Sequence, residues 1–143
     1  TLHKLDLNSV SFAPFRNTTP AILKCNTNDI TDEDITMPLT ELHLMDCKLS
    51  GRSLPLTITK LKFYRVPVTT EGMHRISQMP LRWLGLSNCG IKGQDLHLLT
   101  SLKLHTLDIS TNKIDIEYLR VLRHMKLQTF EFDTESTELL KLL

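Results

Sequence analysis

The sequence predicts an α/β chain wound as a right-handed solenoid. A parallel sheet lines the concave side; short turns, then helices, line the convex side. Three observations predict this. In Leu81-Arg-Trp-Leu-Gly-Leu-Ser-Asn-Cys-Gly-Ile91, apolar residues fall at Leu81, Leu84, Leu86, Cys89 and Ile91, an alternating strand followed by an inward turn. The same spacing recurs along the chain in seven copies. Between the later copies, apolar residues recur at helical spacing.

Taken in order, the first copy reads Leu2, Leu5, Leu7, Val10, Phe12, and the second reads Pro20, Leu23, Cys25, Asn28, Ile30. The third reads Leu39, Leu42, Leu44, Cys47, Leu49, and the fourth Ile58, Leu61, Phe63, Val66, Val68. The fifth is the stretch above. The sixth reads Leu104, Leu107, Ile109, Asn112, Ile114. The seventh starts with Leu127, Phe130 and Phe132, then decays to Glu135 and Thr137. Side chains alternate across a strand, so the paired leucines point inward and the residues around them point outward. At the turn position Asn28 and Asn112 are expected to hydrogen-bond backbone groups, which Cys47 and Cys89 can do only weakly. No single copy buries its apolar face, and stacking supplies the core.

The connections are of two kinds. After copies four to six the apolar sets are Met73, Ile76, Met79, then Leu96, Leu99, Leu102, then Leu119, Leu122, Met125, each the inner stripe of a short helix. The earlier connections are shorter and carry Pro38 or Pro55, and are expected to return by a turn or one tight helical turn.

At 143 residues the chain suits one domain, residues 1–143, with seven copies. Its formal net charge of +1 supplies no bulk attraction to nucleic acid or to a membrane surface. No apolar run approaches the ~18 residues of a membrane helix. Three cysteines, an odd number, do not suggest a disulfide framework.

On these copies the chain resembles leucine-rich-repeat proteins over essentially its whole length. It looks most like the intracellular subtypes with Cys or Asn at the turn position, the F-box-linked and bacterial GALA-type repeats. Ile30-Thr-Asp-Glu-Asp-Ile35 and Val68-Thr-Thr-Glu-Gly-Met73 resemble the "ITDEGL" helix start of those subtypes. Met37-Pro-Leu-Thr-Glu-Leu-His-Leu44 is similar to repeats of bacterial effector ligases. The resemblance implies a cytoplasmic, non-enzymatic scaffold for protein–protein interaction. It would be the substrate-recognition part of a ubiquitin-ligase assembly, or a bacterial effector in the host cytosol.

No catalytic constellation is visible: there is no H-E-x-x-H, C-x-x-C, G-x-S-x-G or phosphate loop, and no cofactor or metal is expected. Cys25, Cys47 and Cys89 read as buried thiols. Cys47 and Cys89 occupy one column two strands apart, about 9–10 Å, too far for a disulfide.

Function is expected on the outward columns of the sheet. Before the central leucine these are Lys4, Ile22, Glu41, Lys60, Trp83, Thr106 and Thr129; between the leucines, Asp6, Lys24, His43, Lys62, Gly85, Asp108 and Glu131; after them, Asn8, Asn26, Met45, Tyr64, Ser87, Ser110 and Asp133. Met45, Tyr64 and Trp83 lie on adjacent strands as candidate hot spots, and Gly85 is expected to leave room for a partner to approach the backbone. Lys24, Lys60, Lys62 and Arg65 make the centre basic, whereas Asp108, Glu131 and Asp133 make the C-terminal end acidic, a gradient able to steer an encounter. The partner-binding set is therefore Lys24, His43, Met45, Lys60, Lys62, Tyr64, Trp83, Gly85, Asp108 and Glu131. The expected partner is a protein. The alternative is a glycan or small ligand, stacked on Trp83 and Tyr64.

The chain begins inside a copy with no cap before Leu2 and reads as a fragment lacking its N-terminal cap. Thr134–Glu138 breaks the pattern, and the apolar tail Leu139–Leu143 is expected to close as a short helix or continue further. Uncapped ends would permit end-to-end association.

Overall fold

A computed structural model describes residues 2–133. Seven strands, β1 (Lys4–Asn8), β2 (Ile22–Asn26), β3 (Glu41–Met45), β4 (Lys60–Tyr64), β5 (Trp83–Ser87), β6 (Thr106–Asp108) and β7 (Thr129–Glu131), form one sheet. Their order in space is their order in the chain, and every pair is parallel. The fold is α/β with few helices.

Alternation along each strand sets the two faces. The row Leu5, Leu23, Leu42, Leu61, Leu84, Leu107 pairs neighbour to neighbour and is buried. So is the row Leu7, Cys25, Leu44, Phe63, Leu86. Burying a leucine contributes roughly 1.5–3 kcal/mol, so these rows are the main source of cohesion. Phe130 in β7 continues the first row, and Phe132 lies just past the strand; both are only half-buried, stacked with ring centroids 6.3 Å apart. Val10, expected inward, is 51% exposed, because it lies beyond β1, which pairs on one side only.

After most strands the backbone turns inward through a left-handed residue: Ser9, Asp46, Arg65, Asn88 and Thr111 all have φ between 52° and 58°. Asn and Asp tolerate this conformation; Arg65 and the β-branched Thr111 are held there by context. The turn delivers Cys47, Val66, Cys89 and Asn112 to the interior.

Asn112 does what the sequence assigns to it. Its Nδ2 donates to the carbonyls of Leu86 (2.7 Å) and Ile109 (2.9 Å), and its Oδ1 accepts from the Cys89 and Ile91 amides at 2.9 and 3.1 Å. Cys47 and Cys89 make the weaker version, Sγ to the carbonyls of Thr27 and Phe63. Asn28 does not follow: it is exposed. Its neighbour Asp29 accepts from the Phe12 amide (3.0 Å) and from the hydroxyls of Ser11 and Thr27, pulling its pKa well below the usual carboxylate range.

The connections carry Ile35, Leu54, Met73, Ile76, Met79, Leu96, Leu99, Leu119 and Leu122 into the core; Leu102 and Met125 are half-buried. The helices they form are not alike. Thr70–Ile76 (α1) is α-helical, with Thr69 Oγ1 accepting from the Gly72 amide at 3.1 Å. Gly93–Leu99 and Ile116–Leu122 are 3₁₀ and start without a side-chain cap. All three carry the same three-residue apolar spacing, so the spacing does not separate the two forms; only α1 starts with a side-chain cap. The first connection holds one 3₁₀ turn, Ala13–Phe15. Between β2 and β3 the carboxylate of the buried Asp32 accepts from the Ser50 and Gly51 amides and from Arg52 Nη1 at 3.1 Å, tying that connection to the next.

Among the described residues no helix is long and apolar enough to cross a membrane. The expectations for Thr134–Glu138 and the Leu139–Leu143 tail, and with them the C-terminal half of the end-to-end idea, lie outside the described residues.

Candidate interaction face

The face of the sheet away from the core carries the outward columns in the predicted register. Lys60 stands opposite Trp83, and Trp83 opposite Thr106; Lys24 opposite His43, His43 opposite Lys62, and Lys62 opposite Gly85; Met45 opposite Tyr64. Asp108 and Glu131 follow on β6 and β7. The structure thus brings the ten predicted residues onto one face, though not in equal roles.

Met45 (40% exposed), Lys62 and Glu131 are exposed; Lys24, His43, Lys60, Tyr64, Trp83 and Asp108 are half-buried. Gly85 is buried, which corrects the expectation that it gives a partner room. The Trp83 ring folds along its own strand and lies over it; a Cβ at Gly85 would sit 2.7 Å from Trp83 Cζ3. The missing side chain at Gly85 is what leaves space for the indole.

The ring is also the point on which two cations converge. Lys60 Nζ and Lys62 Nζ stand 5.5 and 5.9 Å from the Trp83 ring centroid, within cation–π range. Arg65, expected to add to the basic centre, is committed elsewhere: it stacks on Tyr64 at 4.8 Å and pairs with Asp46 at 2.7 Å. At the acidic end Asp108 Oδ1 accepts from the Ser110 amide (2.9 Å) and hydroxyl, and Asp133 from the Thr111 amide, so Glu131 is the freest carboxylate of the gradient.

His43 sits between Lys24 on β2 and Lys62 on β4. Burial, then the charges of Lys24 and Lys60, push its pKa down to about 4, and Glu41 opposes this only in part. At neutral pH the ring is uncharged, so the 3.7 Å approach of its Nε2 to Glu41 is not an ion pair. That Nε2 is buried without a hydrogen-bond partner.

Asp6, Asn8 and Asn26 join His43, Met45 and Tyr64 around an open hollow of about 280 Å³. These three polar residues were in the outward columns but were not singled out. Their signal is column position: Asp6 stands opposite Lys24, and Asn8 opposite Asn26.

Among the described residues no group of three His, Cys, Asp or Glu side chains is placed to hold a metal. Comparison of the chain with protein-family models, with curated proteins and with solved structures finds no match.

Proposed function

We propose that this chain is a right-handed leucine-rich-repeat solenoid acting as a non-enzymatic protein-interaction module, and that it binds a protein partner on the open face of its sheet. The repeat reading is supported by the sequential parallel order of the strands and by the buried leucine column Leu5, Leu23, Leu42, Leu61, Leu84 and Leu107. The observation that carries the binding reading is Trp83. It is the sole tryptophan, it projects from the solvent side of a central strand, and its rotamer is braced by Gly85, Lys60 and Lys62. A rigid, half-exposed indole among polar neighbours is the anatomy of an interface anchor, because it loses little entropy on binding. An extended array of short strands also suits a broad protein surface better than a small ligand, which wants an enclosed pocket.

The test is site-specific photocrosslinking. A photoreactive residue at Met45, on the open face, is compared with one at Leu56, which is exposed on a connection. Protein adducts from position 45 that disappear in Trp83→Ala, with far-ultraviolet circular dichroism unchanged, are the expected result. Adducts only from position 56, or adducts at 45 indifferent to Trp83→Ala, overturn the proposal. Loss of fold in Trp83→Ala would make that residue structural.

A further inference from the structure

We infer that the partner segment is acidic: a short extended run of carboxylates lying across β2, β3 and β4 beside the Trp83 ring. This rests on the binding face proposed above and adds the chemistry of what it takes. The ammonium groups of Lys24, Lys60 and Lys62 lie on neighbouring strands, and none of them is ion-paired among the described residues. Two of them are gathered toward one indole, which concentrates positive charge. Between them lies His43, kept neutral by its setting, whose buried Nε2 lacks a partner.

The size of the patch selects the ligand. From β2 to β5 is three inter-strand steps, about 14 Å, which an extended peptide crosses in about four residues. Within it Glu41 on β3 is the one outward carboxylate; beyond it lie Asp6 beside Lys4 on β1, Asp108 on β6 and Glu131 on β7. A nucleic acid or an anionic membrane is negative throughout and would have to lie over those carboxylates; the net charge of +1 gives neither a compensating pull. A peptide can confine its acids to the basic strands and place neutral or basic residues over β6 and β7.

Trp83 emission reads the test directly, since no other tryptophan contributes. The full chain is titrated at low salt with a decapeptide of alternating Glu and Leu, with its Lys counterpart, with duplex DNA and with vesicles containing phosphatidylserine. The expected result is a saturable change with the Glu peptide and none with the Lys peptide. Binding should weaken roughly tenfold in the triple variant Lys24→Gln, Lys60→Gln, Lys62→Gln, since exposed ion pairs contribute modestly each. It should hold in the control Lys92→Gln, Lys113→Gln, whose sites lie in connections. In the complex the His43 ring, flanked by Lys24, Glu41, Lys60 and Lys62, should titrate higher by nuclear magnetic resonance, because a bound carboxylate favours the imidazolium. No response to the Glu peptide, or tighter binding of DNA or vesicles, overturns the inference. If crosslinking from Met45 still depends on Trp83 in that case, the binding face stands and only its preference for acids falls.

Discussion

The indole of Trp83 roofs Gly85 two residues along the same strand, so closely that a methyl group on Gly85 would lie 2.7 Å from one ring carbon and 3.0 Å from the next. The posture of the residue at the centre of the face is therefore set by a side chain that is absent. Gly85→Ala should push the ring outward. We expect a red-shifted Trp83 emission and a stability change within about 1 kcal/mol, because the half-exposed ring can move into solvent and alanine suits a strand better than glycine. Unchanged emission on Gly85→Ala would show that the ring does not rest there.

Asn112 should be the most sensitive polar position. Its amide satisfies carbonyls of Leu86 and Ile109 and amides of Cys89 and Ile91, all in the interior. Asn112→Ala strands those groups and should cost on the order of 3 kcal/mol, read as a lower urea midpoint. Asn112→Asp should be no milder, since a carboxylate keeps the acceptors and turns against the carbonyls.

His43 couples stability to pH. Its folded-state pKa is near 4, below the ordinary 6.5, so the unfolded chain takes up this proton first as the medium is acidified. The favourable contribution is fully present above about pH 6.5 and is lost as pH falls toward 4. Urea midpoints at pH 7 and pH 5 should differ less for His43→Gln than for the parent chain. An equal difference would remove His43 from the acid response.

The thiols should be silent until the chain unfolds. Cys25 and Cys89 are buried and pushed up to about 12 and 11, chiefly by burial, and Cys47 is buried and raised as well. Thiolate is the reactive species, so at pH 8 a thiol reagent should modify none of the three natively and all three in urea. A thiol that reacts at once in the native state would contradict their burial.

Much of the architecture is legible in the amino-acid sequence. The strands, their inward rows and the outward columns follow from alternation, because side chains of a strand must point to opposite sides. The type of the connecting helices was less legible: two helix forms share an apolar stripe at i, i+3, and capping chosen residue by residue separates α1 from the 3₁₀ segments. Asn28 misled for a related reason. An asparagine at the turn position acts only if its side chain faces inward, and the neighbouring Asp29 took the amides instead.

The amino-acid order by itself determined which residues share a face and which column each occupies, since periodicity is a property of the backbone. Only the tertiary structure decided what those residues do to one another: that Trp83 covers Gly85, that Arg65 is spent on Asp46, and that His43 loses its charge to burial first and then to lysines from two other strands. The indole's lysines, the Arg65 carboxylate partner and the lysine charges around His43 come from residues far away in the chain, and strand pairing brings them within a few ångströms.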